Sequence, residues 1–187
     1  MRTYTIIGGV NGVGKSSFTG ALKSSQNDLG VIVDVDKLTA ELGGDPLTGG
    51  RVAVRRIRDC LERGLSYTQE STLSGHNAER TCRLAKERGY TIRLYYIALD
   101  SSNESRLRIE NRVRHGGHDI PYRVVERRFV KRWEDLVRIL PYCDRVELYD
   151  NDNGFSLVAE VRNGELLSIG EKHPRWLSEL NAFMKQR

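Results

Sequence analysis

Gly9-Val10-Asn11-Gly12-Val13-Gly14-Lys15-Ser16 satisfies the pattern Gly, four residues, Gly-Lys-Ser at every fixed position. Glycines let the backbone fold back so that several N–H groups converge on polyphosphate oxygens. Lys15 adds a flexible point charge for the β- and γ-phosphates, and Ser16 offers a hydroxyl to Mg²⁺. The flanks agree. Thr3-Tyr4-Thr5-Ile6-Ile7-Gly8 reads as a strand entering this loop, and Ser17-Phe18-Thr19-Gly20-Ala21-Leu22 as a helix leaving it. A helix N-terminus aimed at the loop adds its dipole to an anion site. The stretch predicts a nucleoside triphosphate held by Gly9, Asn11, Gly12, Val13, Gly14, Lys15, Ser16 and Ser17, with Ser16 as the metal ligand.

Working outward, 187 residues suffice for one domain with a proper core. A hydrophobic content of 39% with 29% charged residues is that of a globular protein in water. No apolar run approaches the roughly 20 residues needed to span a bilayer. With a strand at its very start the chain shows no signal peptide, and the expected compartment is the cytoplasm, without a membrane partner. Cys60, Cys82 and Cys143 are widely spaced and fit reduced thiols. The net charge of +5 is not spread evenly. Arg106, Arg108, Arg112, Arg114, Arg123, Arg127, Arg128, Lys131 and Arg132 fall within residues 106–132.

Strand-like runs at 30–36, 65–70, 91–99 and 144–150 alternate with helical patterns at 51–63, 77–88, 101–114 and 122–140, while 43–50 reads as a turn-rich loop. Two further strands flank Asn163-Gly164, a tight-hairpin signal, and a helix closes the chain from residue 174. The fold class is α/β: a P-loop NTPase-type parallel sheet with helices on both faces, an arginine-rich helical lid at about 106–132, and a small C-terminal antiparallel hairpin and helix at about 155–187. One domain over 1–187 is expected.

Ligands of open α/β sheets bind beyond the carboxyl ends of the strands. Asp36 at the end of the second strand is either a general base for an attacking hydroxyl or, like Asp34, simply the cap of the helix that follows. Glu70, followed by Ser71, Thr72 and Ser74, makes a hydrogen-bonding floor for a polyhydroxyl substrate, or else Ser71, Ser74 or Asn77 simply caps the next helix. The arginines flanking Gly116-Gly117 read as a lid supplying guanidinium groups to transferring phosphate, with Arg108, Arg112 and Arg128 as candidates, or as a solvated helix face. His118 beside Asp119 is a loop dipeptide and a weak catalytic pair.

Residues 9–16, Asp36, Gln69-Glu70-Ser71-Thr72-Leu73-Ser74-Gly75, Arg112-Val113-Arg114-His115-Gly116-Gly117-His118-Asp119-Ile120-Pro121 and Tyr149-Asp150-Asn151 resemble, in this order, the compact zeta-toxin-like P-loop kinases. The resemblance runs from the first strand to about residue 151, and the stretch through 116–121 is its most specific part. It implies a phosphotransferase core like that of nucleoside and shikimate kinases. It also implies a UDP-activated amino sugar as acceptor and an antitoxin protein as partner. In those terms Lys15 and Ser16 hold ATP and Mg²⁺, Asp36 is the catalytic base, Glu70 and Thr72 position substrate, and Arg108 or Arg112 is a lid arginine. Larger zeta toxins carry a second lid arginine near the position of Gly117-His118, which leaves Arg128 as a substitute, and their sugar-binding insertions are not evident here. Two other classes stay open: a P-loop ATPase or switch module, and a kinase acting on nucleic-acid ends. The second lacks aromatic residues among the arginines for stacking, apart from Tyr122, Phe129 and Trp133, which look like core.

Overall fold

The computed structural model describes residues 1–25, 28–117 and 119–186, so His118 and the pairing weighed for it lie outside the described residues. Along the chain, β1 (Thr3–Gly8) leads into α1 (Lys15–Ser25), and β2 (Val31–Val33) into α2 (Val35–Glu41) and α3 (Pro46–Arg63). Next, β3 (Tyr67–Ser71) leads into α4 (Asn77–Glu87), and β4 (Thr91–Ala98) into α5 (Ser102–Arg114) and α6 (Tyr122–Ile139). After a short turn come β5 (Arg145–Asp150), β6 (Ser156–Arg162), β7 (Glu165–Ser168) and α7 (Arg175–Lys185). The strands form one sheet in the order β2-β3-β1-β4-β5-β6-β7. The first five run parallel and β6 and β7 antiparallel, so the hairpin prolongs the sheet through β5. Asn163 and Gly164 turn it with φ of 54° and 79°, the left-handed pair a two-residue hairpin favours.

β1 is central because both of its faces are apolar: Tyr4 and Ile6 enter the main core, and Ile7 the core on the opposite face. The faces are unequally covered. Leu38 of α2, Ala53 and Ile57 of α3, Cys82 and Ala85 of α4, Leu136 of α6 and Trp176 and Leu180 of α7 share the first face. On the other, α1 supplies Phe18 and Leu22. Tyr4 and Tyr67 stack across neighbouring strands at 4.4 Å, which helps fix the β1–β3 register.

Two expected boundaries differ. The second strand ends at Val33, Asp34 caps α2 by accepting from Lys37 N–H, and Asp36 lies in the first helical turn rather than at a strand end. The loop expected at 43–50 is largely helix. Asp45 caps α3 by accepting from the N–H groups of Leu47 and Thr48, Pro46 sits in the first turn, and the helix runs on to Gly64. Gly49 is needed there because any side chain would collide with Thr39 on α2.

α7 ties the C-terminal part to the strand ends that matter for the site. Trp176, fully buried, donates its indole N–H to Asp150 at 2.8 Å and its backbone N–H to Asp100 at 2.8 Å. Lys172 pairs with the other Asp150 oxygen at 2.6 Å. Arg132 of the basic run is structural. It stacks on Phe129 and Trp133 and pairs with Glu179 of α7 at 2.7 Å. Trp176→Ala removes the ring and leaves a buried carboxylate oxygen short of a donor, so the expected loss is about 3–5 kcal/mol. Urea denaturation followed by circular dichroism measures it, and a loss below about 1 kcal/mol would refute this role.

Candidate active site

The P-loop is shaped by three glycines with positive φ: Gly9 at 141°, Gly12 at 81° and Gly14 at 98°. Space as well as conformation demands all three, and a Cβ on Gly9 would run into the Ile97 carbonyl. A Cβ on Gly12 would run into the Ser105 carbonyl of α5, and one on Gly14 into the side-chain amide of Asn151 at 2.6 Å. α1 begins at Lys15, so its N-terminal amides face the loop. Lys15 curls back, its Nζ donating to the carbonyls of Gly9 at 3.0 Å and Val10 at 3.1 Å. Burial pushes its pKa down, and Arg128 pushes the same way, against the pull of Glu70 and Asp36. Among the expected nucleotide-contacting residues, Gly9 and Val13 turn groups toward the protein itself. Gly9 N–H donates to Ser71 O, and Val13 turns its side chain into the core while its carbonyl accepts from Asn151.

Glu70, near the end of β3, lies opposite the start of α1. Its carboxylate accepts from Ser16 Oγ at 2.7 Å and from Thr19 Oγ1 at 2.7 Å. Burial raises its pKa, and the two hydroxyls and Lys15 oppose the rise. A serine hydroxyl and a carboxylate side by side form an all-oxygen donor set that fits Mg²⁺, which takes one or two carboxylates with nucleotide oxygens and water. Among the described residues no group of three His, Cys, Asp or Glu could hold a metal unaided.

Two cavities meet at this point. One, about 340 Å³, is lined by Gly14, Lys15, Ser16, Arg108, Arg112 and Asn151. The other, about 300 Å³, is lined by Asp34, Gln69, Thr72, Asn77, Thr81 and Arg128. Asn11, Lys15, Asp36 and Glu70 border both. Thr72 is held at the wall by a strained turn: buried Leu73 has φ of 61°, and its N–H donates to Ser71 Oγ. A larger cavity, about 700 Å³, opens at the other end of β5 around Val137, Leu140 and Val161, away from these groups.

The arginines divide by place. Arg108 donates to the carbonyls of Asn151 at 2.5 Å and Asp152 at 3.2 Å. Arg112 lies 4.0 Å from Asp36, a half-exposed pair worth about 0–1 kcal/mol. Arg128 donates to Asn11 Oδ1 at 2.6 Å, on the second cavity. Arg106 pairs with Glu110 and Asn103 outside it. Sequence reasoning gave no site role to three groups. Asn151 braces the P-loop through Val13 O at 2.8 Å, Thr19 holds Glu70, and Asp34 walls the second cavity. Asn151 had a signal, since a polar residue just past a parallel strand sits where ligands bind.

A P-loop after the central strand, an acidic second strand end and two basic helices crossing the loop define a P-loop kinase, an ATP-dependent phosphotransferase. The comparisons agree. The zeta toxin family model matches residues 49–156, more than half the chain, and the protein belongs to that family. The match begins beyond the P-loop, which is therefore an independent indication. An uncharacterised protein of Haemophilus influenzae is 29% identical over 127 residues, covering 65% of this chain and 88% of its own. The PezAT chromosomal toxin–antitoxin system of Streptococcus pneumoniae gives a TM-score of 0.64 at 20% identity, over 100% of this chain and 85% of the other. A complex of AvrRxo1-ORF1 and -ORF2 with ATP gives 0.66 at 17%, over 100% and 76%. No helix is long and apolar enough to cross a membrane among the described residues.

The raised pKa of Glu70 has a sign that can be checked. A carboxyl whose folded pKa lies above its unfolded value is penalised as pH rises through the ordinary carboxylate range and beyond. Glu70→Gln removes that penalty, so its melting temperature relative to wild type should climb between acid and neutral pH. A relative melting temperature that stays flat or falls would contradict the burial argument.

Proposed function

We propose that the protein transfers the γ-phosphate of ATP to a hydroxyl of a small polyhydroxyl acceptor, with nucleotide phosphates in the cavity at Lys15 and Arg112 and the acceptor in the cavity at Thr72 and Arg128. The observation that carries this reading is the meeting of the two cavities at Lys15, Asp36 and Glu70. The acceptor oxygen bonds to the γ-phosphorus, the bond to the bridging β,γ oxygen breaks, ADP leaves, and the hydroxyl proton passes to Asp36. Asp34 rather than Asp36 caps α2, which leaves the Asp36 carboxylate for that work. Ser16 and Glu70 would hold Mg²⁺, whose part is to neutralise charge on the phosphates. Arg108, Arg112 and Arg128 stabilise the charge that spreads over the equatorial oxygens. Residues 106–132 act as a lid on one domain spanning the chain. By the resemblance the acceptor is a UDP-activated amino sugar, with Glu70 and Thr72 accepting and donating hydrogen bonds to it. An antitoxin partner belongs to the same reading, suggested by the S. pneumoniae system.

Lys15→Ala should abolish transfer, because no other P-loop side chain follows the γ-phosphate. Asp36→Asn should melt at the wild-type temperature yet lose about 10²–10⁴ in kcat, the usual worth of a general base. Both are measured on one sample by calorimetry and by ATP-dependent phosphate transfer. Near-normal kcat in Asp36→Asn would remove the base. Hydrogen exchange in residues 106–132 should slow when ATP and acceptor are both present, and unchanged exchange there would remove the lid.

A further inference from the structure

The glycine pair that ends α5 does more than stop the helix. Gly116, with φ of 85°, donates its N–H to Val113 O at 2.9 Å, and Gly117 donates to Arg112 O at 2.9 Å. These are the two bonds of a Schellman cap. In that motif the residue in the place of Gly117 often packs a side chain on the residue in the place of Arg112. Gly117 has no side chain to pack, and its φ lies outside the left-handed region, so conformation alone does not call for glycine. Space does. The three heavy atoms that a Cβ on Gly117 would meet first all belong to Arg112: Cγ at 2.5 Å, the carbonyl oxygen at 2.9 Å and Cδ at 3.1 Å. The Arg112 stem crosses the place a side chain would take. Gly117 is accordingly half-buried, although residues 111–116 are exposed.

Arg108 and Arg112 of α5 both line the nucleotide cavity. They are held differently. Arg108 is fixed at its guanidinium by the carbonyls of Asn151 and Asp152. The Arg112 guanidinium reaches Asp36 at 4.0 Å, in a pair with both partners open to water. Such a pair is a weak restraint on a long side chain with many rotamers. The backbone of Gly117 under the stem supplies the restraint that the ion pair lacks.

We infer that Gly117 is a positioning residue: by carrying no side chain it lets the Arg112 stem lie across the α5 cap, which sends the guanidinium toward Asp36 and the phosphate cavity. This rests on the proposed work of Arg112 at the transferring phosphate and adds a residue to it.

The test is ADP release from ATP with Mg²⁺, water serving as acceptor, together with ATP binding by calorimetry. Gly117→Ala should lower kcat by about 10–100-fold, the effect of a catalytic group moved by about 1 Å, and change ATP affinity far less. Gly116→Asn tolerates the left-handed conformation and meets open space, so it should leave kcat within about twofold. In an Arg112→Ala background Gly117→Ala should cost nothing further, because the stem it displaces is gone. An equal loss in both backgrounds, or an equal loss in Gly116→Asn, overturns the inference and returns Gly117 to the cap alone. Full kcat in Gly117→Ala with Arg112→Ala impaired also overturns it, and in each of these cases the kinase reading stands. Full kcat in Arg112→Ala removes Arg112 from the chemistry and the inference with it. Should Gly117→Ala fail to fold, the double variant decides. Folding restored by removing the Arg112 stem supports the inference, and no restoration overturns it.

Discussion

The carboxylate of Glu70, buried and gripped by the hydroxyls of Ser16 and Thr19, joins the end of β3 to the first turn of α1. Such a charge is costly to bury unless its oxygens are satisfied, and the two hydroxyls together with nearby Lys15 make the burial tolerable. Because β3 pairs with β1, which enters the P-loop, and α1 leaves it, that contact ties the two ends of the loop together. Replacing a charge so placed changes geometry and electrostatics together, and pH-resolved stability separates the two.

Around this contact the P-loop is held by partners from distant parts of the chain. Asn151 takes the Val13 carbonyl, Arg128 takes the Asn11 side chain, and the Ser105 backbone presses against Gly12. Each belongs to the loop after β5 or to α5 or α6. The loop is therefore not free to change shape alone. A phosphate that draws in Arg128 or Arg112 must shift contacts running through Asn11 and Asp36, which couples the arginines to the nucleotide by direct touch.

Local patterns were legible where the physics is local. The P-loop, the β-branched run of β4 and the Asn163-Gly164 hairpin are each settled by residues within a few positions. The start of α3 was misread because four glycines at 43–50 outweighed Asp45-Pro46, a cap followed by a first-turn proline. Asp36 was placed at a strand end because either Asp34 or Asp36 could cap the helix that follows, and nothing local decides that Asp34 does so. The basic run was legible as a cluster, but nothing in it separates Arg132, clamped to Glu179 and two rings, from Arg128 on the cavity. Those fates depend on α7 and Asn11, which lie far along the chain in either direction.

The bond between Asn151 and Val13 spans 138 residues. A ribosome adding about 5–20 residues per second takes roughly 7–28 s to cover that distance. For that interval the emerging chain carries the complete phosphate-binding motif, but without the side chain that braces it. The β5 strand and the helix that secures Asp150 are still missing too. The bracing of the phosphate loop is thus completed only after residue 151 has been added.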